Sequence, residues 1–82
     1  MKQEKRNERI KILLADDHRL LRTGLKLLLG TQSDFEVVAE ASDGKDALEV
    51  LEKNDSVDIA LLDLSMPVLN GLDCLKEIRA RL

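Results

Sequence analysis

Residues 10–17 read Ile-Lys-Ile-Leu-Leu-Ala-Asp-Asp, a compact apolar run with one interruption that ends in two carboxylates. A second run, residues 57–63, reads Val-Asp-Ile-Ala-Leu-Leu-Asp and also ends in a carboxylate. Short apolar runs of this kind are typical of strands that are covered on both faces of a parallel sheet. If both runs are parallel strands, Asp16, Asp17 and Asp63 converge on one crevice, where carboxylates repel one another unless a cation lies between them.

Helical periodicity follows the first strand. From about residue 19 to residue 29, apolar side chains recur at the spacing of a helix face, and Leu21, Leu25 and Leu28 form the centre of the stripe. A short apolar run over residues 36–41 then predicts a second strand. The first unit therefore reads as strand, helix, strand.

Two further helices are predicted from their capping residues. Ser42 or Asp43 can cap a second helix, which fades near residue 53. After a third strand over residues 58–64, Asn70 is placed to cap a third helix. The apolar stripe of that helix consists of Leu72, Leu75, Ile78 and Leu82.

Strands that alternate with helices predict an α/β fold, in which helices cover both faces of a parallel sheet. Crossovers between parallel strands are right-handed, so covering both faces requires the second crossover to return over the first strand, which gives strand order 2-1-3. Strands 1 and 3 are then neighbours. The gap between their C-terminal ends is the topological switch point at which ligands bind in open sheets, and the three acidic residues lie there.

The residues around this point resemble the receiver domain of bacterial two-component response regulators. The resemblance rests on Leu-Ala-Asp-Asp-His at 14–18, Asp-Leu-Ser-Met-Pro at 63–67 and Asn-Gly at 70–71. The Asp-Asp-His start and the stretch 22–25 are most similar to the NarL/FixJ subfamily of transcriptional regulators. The similarity covers residues 10–82, and it implies a flavodoxin-like (CheY-like) doubly wound sheet reduced to three strand-helix units.

By this resemblance Asp63 is the phosphoacceptor, which takes a phosphoryl group from a sensor histidine kinase, and the chain is not a conventional enzyme. Phosphoryl transfer needs positioning and neutralisation of charge, which a hard cation with oxygen ligands supplies, so the implied cofactor is Mg²⁺. Direct ligation is implied for Asp17, Asp63 and the backbone carbonyl of Ser65, with Asp16 acting through water. The output would be a DNA-binding domain that is absent from this chain.

The loop after the third strand is implied to support the site. Its proline cannot donate to a strand ladder and restricts the residue before it, so the strand ends there and the loop can present a backbone carbonyl. The supporting residues are Met66, Pro67, Asn70 and Gly71.

Each of these residues also has a simpler structural explanation. Asp16 and Asp17 can cap the first helix, and Asp63 can end a strand in a turn, but two carboxylates in a row matched by a third favour a site. His18 could be a metal ligand or a phosphate carrier, although we expect a solvent-facing residue where the helix begins. Cys74 lies opposite the apolar stripe or at its edge, and we expect a structural role for it.

Composition narrows the class of protein. The 82 residues are 44% hydrophobic and 35% charged with a net charge of -3, which is typical of a globular domain. A single cysteine excludes an intrachain disulfide, and the apolar runs are far shorter than the roughly 20 residues of a membrane span, so we expect a cytoplasmic protein without membrane contact. Residues 1–9 mix both charge signs and are expected to form a solvated tail before a partial receiver domain at 10–82. Arg22 and the other basic residues of the first and third helices are expected to be helix-surface charges, since the chain is acidic overall.

The chain departs from the family pattern at its C-terminal side. A complete receiver continues through two more strand-helix units, which carry a Ser or Thr and a Lys that contact the phosphoryl group. Neither is found here, so the third strand is expected to lie at the sheet edge and to recruit another chain by edge pairing or exchange of elements. Two interpretations remain: a phospho-signalling receiver, or a truncated, phosphorylation-incompetent association module that dimerises through the exposed edge. An enzyme for an external substrate would need a general acid or base that the sequence does not show.

Overall fold

Strands and helices alternate along the chain as the sequence predicts. The computed structural model describes residues 9–81, so the first eight residues of the predicted tail, and Leu82 of the predicted third-helix stripe, lie outside the described part. The six elements are β1 (Ile10–Ala15), α1 (Arg19–Gly30), β2 (Phe35–Ala41), α2 (Gly44–Lys53), β3 (Ile59–Leu62) and α3 (Gly71–Arg81).

The three strands form one parallel sheet in the order β2-β1-β3, which confirms the predicted topology. β1 is the central strand, and its residues 12–15 are all buried. The register between β1 and β2 shifts between Ile12 and Leu13. β3 is shorter than predicted, and within residues 9–81 it pairs with β1 alone, so its outer side is an edge of the sheet.

One face of the sheet is covered by α2 and α3. Successive residues of a strand point to opposite faces, and alternate residues of β1 and β2 meet these two helices in an aliphatic cluster. The buried members of the cluster are Leu13, Ala15, Ala41, Ala47, Leu48, Met66 and Cys74. Leu13 and Cys74 are completely buried. Because Met66 and Cys74 belong to the cluster, the core fixes both α3 and the loop that precedes it.

The opposite face carries α1, whose apolar stripe is mostly exposed. Leu21 and Leu28 were expected to face the core, but they are 53% and 64% exposed, and no residue of α1 is fully buried. A sheet of three strands is narrow, so this face offers little surface on which the leucines can pack. Charged residues anchor the helix to the sheet: Arg22 Nε and Lys26 Nζ each lie 3.0 Å from a carboxylate oxygen of Glu40 on β2.

The buried face of α3 also differs from the predicted stripe. Leu72 and Leu75 are 53% and 47% exposed, whereas Gly71 and Cys74 are buried and Ile78 packs against the core cluster. The prediction followed the largest apolar side chains. It is confirmed for Ile78 and wrong for Leu72 and Leu75, because Gly71 allows the start of the helix to approach the backbone after β3 closely, and the residues three and seven positions later then also face inward.

The helix ends follow capping rules. Asp43, rather than Ser42, caps α2, because its side chain accepts a hydrogen bond from the backbone N–H of Asp46 at 2.7 Å. Asn70 caps α3 in the same way, accepting from the N–H of Asp73 at 2.9 Å. None of the helices in the described part of the chain is long and apolar enough to cross a membrane.

Candidate functional site

Two neighbouring strands carry acidic residues to the same edge of the sheet. The N–H of Asp16 donates to the carbonyl of the last residue of β2 at 3.1 Å, and the N–H of Asp63 donates to the last carbonyl of β1 at 3.0 Å. Both side chains therefore emerge at the C-terminal edge, at the predicted switch point. The structure brings these two together with Asp17 and His18, because one ligand atom from each of the four lies within 4.8 Å of the others.

Asp63 is oriented by the residue two positions later. Its Oδ1 accepts hydrogen bonds from the backbone N–H of Ser65 at 3.2 Å and from the Ser65 hydroxyl at 3.3 Å. The bond from the Ser65 N–H is the main cause that lowers the pKa of Asp63 below its ordinary value, against the opposing effect of burial, with smaller effects from Asp16 and His18. The side chain is 22% exposed. Asp63 is thus an accessible, ionised carboxylate at neutral pH, as a nucleophile must be.

Asp16 and Asp17 differ in how much water reaches them. The side chain of Asp16 is 9% exposed and that of Asp17 is 32% exposed. Asp16 Oδ1 accepts the backbone N–H of His18 at 2.8 Å, which closes a tight turn before α1. A buried carboxylate is costly unless it is paired with positive charge, so the Asp16 position favours a cation in the crevice.

His18 is exposed, as expected, and its ring also contacts the acidic cluster, where a metal ligand was the alternative interpretation. The ring is 64% exposed, and its Nδ1 lies 3.1 Å from Asp16 Oδ1, 3.1 Å from Asp17 Oδ1 and 3.6 Å from Asp63 Oδ2. The hydrogen bond to Asp16 is the main cause that raises the pKa of His18 above its ordinary value, followed by the charges of Asp17 and Asp16.

Arg22 has a structural role that the sequence did not reveal. We expected a surface charge, but its side chain is 16% exposed, its Nε donates to Glu40, and its guanidinium also donates to the backbone carbonyl of Asp16. Arg22 thus joins α1 to the ends of β1 and β2. The sequence signal that could have indicated this role is the position of Arg22 one helical turn after His18, together with a glutamate in the second predicted strand.

The loop after β3 is compact and strained. Met66 is buried, and the N–H of Leu69 donates to the carbonyl of Pro67 at 2.6 Å across Val68, which has a φ of 69°. This combination matches a γ-turn of the rare type, and a β-branched residue is disfavoured at positive φ. Sequence reasoning predicted a loop that proline shapes, but it did not locate this turn, because valine is an uncommon residue at such a position.

Gly71 lies where the loop and α3 meet. A Cβ atom at this position would overlap the carbonyl oxygen of Asp63 and lie 2.9 Å from its carbonyl carbon and 3.0 Å from Leu64 Cα. All three neighbours are backbone atoms, which cannot turn away as a side chain can. The glycine therefore permits α3 to begin directly behind the acidic residue of β3.

The donor set fits a divalent cation. Three carboxylates converge, and hard oxygen ligands of this kind are those that Mg²⁺ and similar cations prefer. A cation bound there would neutralise charge on the carboxylates and on an incoming anionic group.

The combination of fold and acidic switch point has counterparts among known proteins. The family model of the response regulator receiver domain matches residues 12–82. The chain belongs to this family. It is 37% identical over 81 residues to the transcriptional regulatory protein DegU of Brevibacillus brevis. It is 49% identical over 70 residues to the nitrate/nitrite response regulator protein NarL of Escherichia coli K12.

Solved structures agree with this assignment. The signal receiver domain of NarL from Mycobacterium tuberculosis superposes with a TM-score of 0.83 at 36% identity, over 89% of this chain and 58% of that one. CheY6 of R. sphaeroides, solved in complex with the P1 domain of CheA3, gives a TM-score of 0.75 at 34% identity, over 85% of this chain and 54% of that one. The flavodoxin-like receiver fold is thereby confirmed.

The chain spans about a third of the length of its relatives. The match to DegU covers 99% of this chain and 34% of DegU. The match to NarL covers 85% of this chain and 32% of NarL, and in both relatives the matched part is the N-terminal portion. DegU is described as a transcriptional regulatory protein, and NarL as a nitrate/nitrite response regulator protein. The chain is therefore a receiver domain of the NarL type, and these findings favour that interpretation over the association module.

Proposed function

We propose that Asp63 accepts a phosphoryl group from the phosphohistidine of a sensor histidine kinase. In this step a carboxylate oxygen of Asp63 forms a bond to phosphorus, the bond between phosphorus and the imidazole nitrogen breaks, and the nitrogen keeps the electron pair. The product is an acyl phosphate at Asp63 and a free histidine on the kinase. The chain acts as a phosphoacceptor rather than as an enzyme for an external substrate.

The residues of the chain divide the work of this step. Ser65 holds Oδ1 of Asp63 through two hydrogen bonds, which keeps the carboxylate ionised and oriented. Asp17, Asp63 and the Ser65 carbonyl would hold Mg²⁺ directly, and Asp16 would act through water. When bound, the cation supplies charge neutralisation for the incoming phosphoryl oxygens. Gly71 and the buried Met66 keep the supporting loop close to Asp63, together with Pro67 and Asn70.

The observation that carries this proposal is the position of Asp63 in the crevice. It is the only carboxylate of the cluster that follows β3, its pKa is lowered, and 22% of its side chain is open to a partner. Asp16 is buried, and it is therefore a poor nucleophile for a group delivered by another protein.

The proposal is tested with a small phosphodonor and Mg²⁺, followed by intact-mass analysis. The chain should gain the mass of one phosphoryl group, and the gain should disappear without Mg²⁺ and in Asp63→Asn. Asp55→Asn is the matched control, because Asp55 is an exposed carboxyl in the turn before β3 and should not alter the gain. Absence of a gain in the unaltered chain would contradict phosphorylation competence.

We propose, further, that phosphorylation acts on a DNA-binding output domain in the parent protein, and that the parent protein is cytoplasmic. Family membership supports this proposal, because the relatives include a transcriptional regulatory protein. The functional unit is residues 10–82, which the family match over 12–82 supports.

Self-association of the isolated chain is a separate proposal. The outer edge of β3 carries unpaired backbone groups in the described sheet, and Ile59 and Leu61 are 43% and 41% exposed beside it. An open apolar edge favours pairing with a second copy. Sedimentation velocity should show a dimer whose fraction rises with concentration, and Ile59→Lys should weaken it. A folded monomer at micromolar concentration would contradict this proposal.

A further inference from the structure

The imidazole of His18 lies at the mouth of the crevice that is proposed to hold the cation. It is the only histidine of the chain, and its Nδ1 is 3.1 Å from oxygens of both Asp16 and Asp17. Within the described residues it completes the only group of four side chains that could together hold a metal ion. The receiver assignment uses the carboxylates of this group and gives the imidazole no role.

Two hydrogen bonds of its backbone hold His18 at the mouth of the crevice. The N–H of His18 donates to Asp16 Oδ1 at 2.8 Å, and its carbonyl accepts from the N–H of Arg22 at 2.9 Å in the first turn of α1. The Cα of His18 is therefore held between a strand end and a helix start. The side chain needs little adjustment to bind the same cation as the carboxylates.

The distances agree with those between adjacent ligands of one metal ion. Two ligands at right angles, each about 2.1 Å from an octahedral cation, lie about 3.0 Å apart. The separation of His18 Nδ1 from Asp17 Oδ1, an atom of a proposed direct ligand, is 3.1 Å, and its separation from Asp63 Oδ2 is 3.6 Å. An imidazole in that position would add a nitrogen donor to a site whose other ligand atoms are oxygens.

We propose that His18 is a nitrogen ligand of the cation in the acidic crevice, and that it makes the site selective for first-row transition metals such as Ni²⁺ over Mg²⁺. The proposal rests on the cation site of the proposed function. Mg²⁺ takes oxygen ligands and gives up its waters reluctantly, whereas imidazole suits Ni²⁺ and similar transition metals. The receiver of this chain would then be phosphorylated with Ni²⁺ at metal concentrations too low for Mg²⁺.

The first test is spectroscopic. It uses the full, untagged chain loaded with Mn²⁺, which serves as the probe because it is paramagnetic. Electron spin echo spectra should show modulation from a directly bound nitrogen. Because the chain has one histidine, incorporation of nitrogen-15 histidine should change that modulation and so assign it to His18. Bound Mn²⁺ without nitrogen modulation would overturn the role of His18 and leave the cation site of the proposed function intact.

The second test compares metal affinities by calorimetry in the unaltered chain and in His18→Ala. Loss of a metal ligand should weaken Ni²⁺ binding by at least about tenfold, while Mg²⁺ binding changes by less than about twofold. The opposite sign, with tighter binding of both metals in His18→Ala, would show that the ring is a counter-ion that competes with the cation.

Asp17→Asn separates a failure of the proposed cation site from a failure of the proposed role of His18. It should abolish binding of both metals if the crevice is the cation site. If neither metal binds the unaltered chain, the cation site of the proposed function fails and the role of His18 fails with it. If both metals bind and His18→Ala affects them equally, only the inference about His18 fails.

Discussion

Replacement of Gly71 by alanine should destabilise the chain and slow phosphorylation of Asp63. The new Cβ would overlap the Asp63 carbonyl oxygen and lie 2.9 Å from its carbonyl carbon and 3.0 Å from Leu64 Cα. Carbon atoms normally approach to about 3.5 Å, so α3 or the loop must move by at least about 0.5 Å. Such overpacking costs about 1–3 kcal/mol, and the lower entropy of unfolded alanine offsets about 0.4–1 kcal/mol of it. The expected net loss is about 1–2 kcal/mol.

Gly24 provides the matched control for this substitution. It lies in the interior of α1, and a Cβ there would meet no atom within 4 Å. Alanine is favoured over glycine in a helix interior by about 1 kcal/mol, so Gly24→Ala should stabilise the chain. The two glycine-to-alanine variants should therefore differ by about 2–3 kcal/mol with opposite signs.

Urea denaturation followed by far-ultraviolet circular dichroism measures both variants at one protein concentration, since the chain lacks tryptophan and tyrosine. In the phosphodonor reaction, a displaced loop should reduce the rate for Gly71→Ala by at least about tenfold, because misplacement of reacting groups by about 1 Å can cost about a hundredfold. Gly24→Ala should react at the parental rate. A Gly71→Ala chain as stable and as reactive as Gly24→Ala would refute the close-approach argument.

Three further substitutions test other parts of the fold. Val68→Gly should stabilise the chain by up to about 1 kcal/mol, because glycine relieves the positive φ, and urea midpoints check this. Leu13→Ala should cost about 2–5 kcal/mol because Leu13 is completely buried, whereas Leu27→Ala, at a side chain 69% exposed, should leave the urea midpoint nearly unchanged. The pKa of Glu40 is lowered below 4.5, chiefly by the hydrogen bond from Lys26 and further by Arg22. The stabilisation of the folded chain by ionised Glu40 should therefore be full above pH 4.5 and should be lost as the pH falls below the pKa of Glu40 in the folded chain. Glu40→Gln should accordingly be less stable than the parent by roughly 0.2–1 kcal/mol at neutral pH, and the difference should close in acid.

The sequence predicted the order of elements and the convergence of the acidic residues because both depend on local patterns. Alternating periods and right-handed crossovers specify strand order, and the strand ends then place Asp16 and Asp63 together. The cap Asn70 was predictable for the same reason, since a cap satisfies the helix that directly follows it, whereas the cap of α2 was narrowed only to Ser42 or Asp43.

Features that depend on contacts between distant elements were not predictable. The stripe of α3 was assigned to its leucines and Ile78, but Gly71 and Cys74 are buried beside Ile78 because the helix approaches backbone that lies eight residues earlier. Arg22 was read as a surface charge, since its partners lie on the ends of two other elements. The contact of His18 with the carboxylates depends on the turn at Asp16, whose geometry no sequence period encodes.

The most direct test of the account is to locate the phosphoryl group on the chain. After reaction with a phosphodonor and Mg²⁺, borohydride reduction converts an aspartyl phosphate to homoserine, and peptide mass spectrometry identifies the altered residue. Homoserine is expected at position 63, and unaltered aspartate at positions 16 and 17. Homoserine at either of those positions, or a phosphoryl group that borohydride does not remove, would contradict the assignment of Asp63 as the phosphoacceptor.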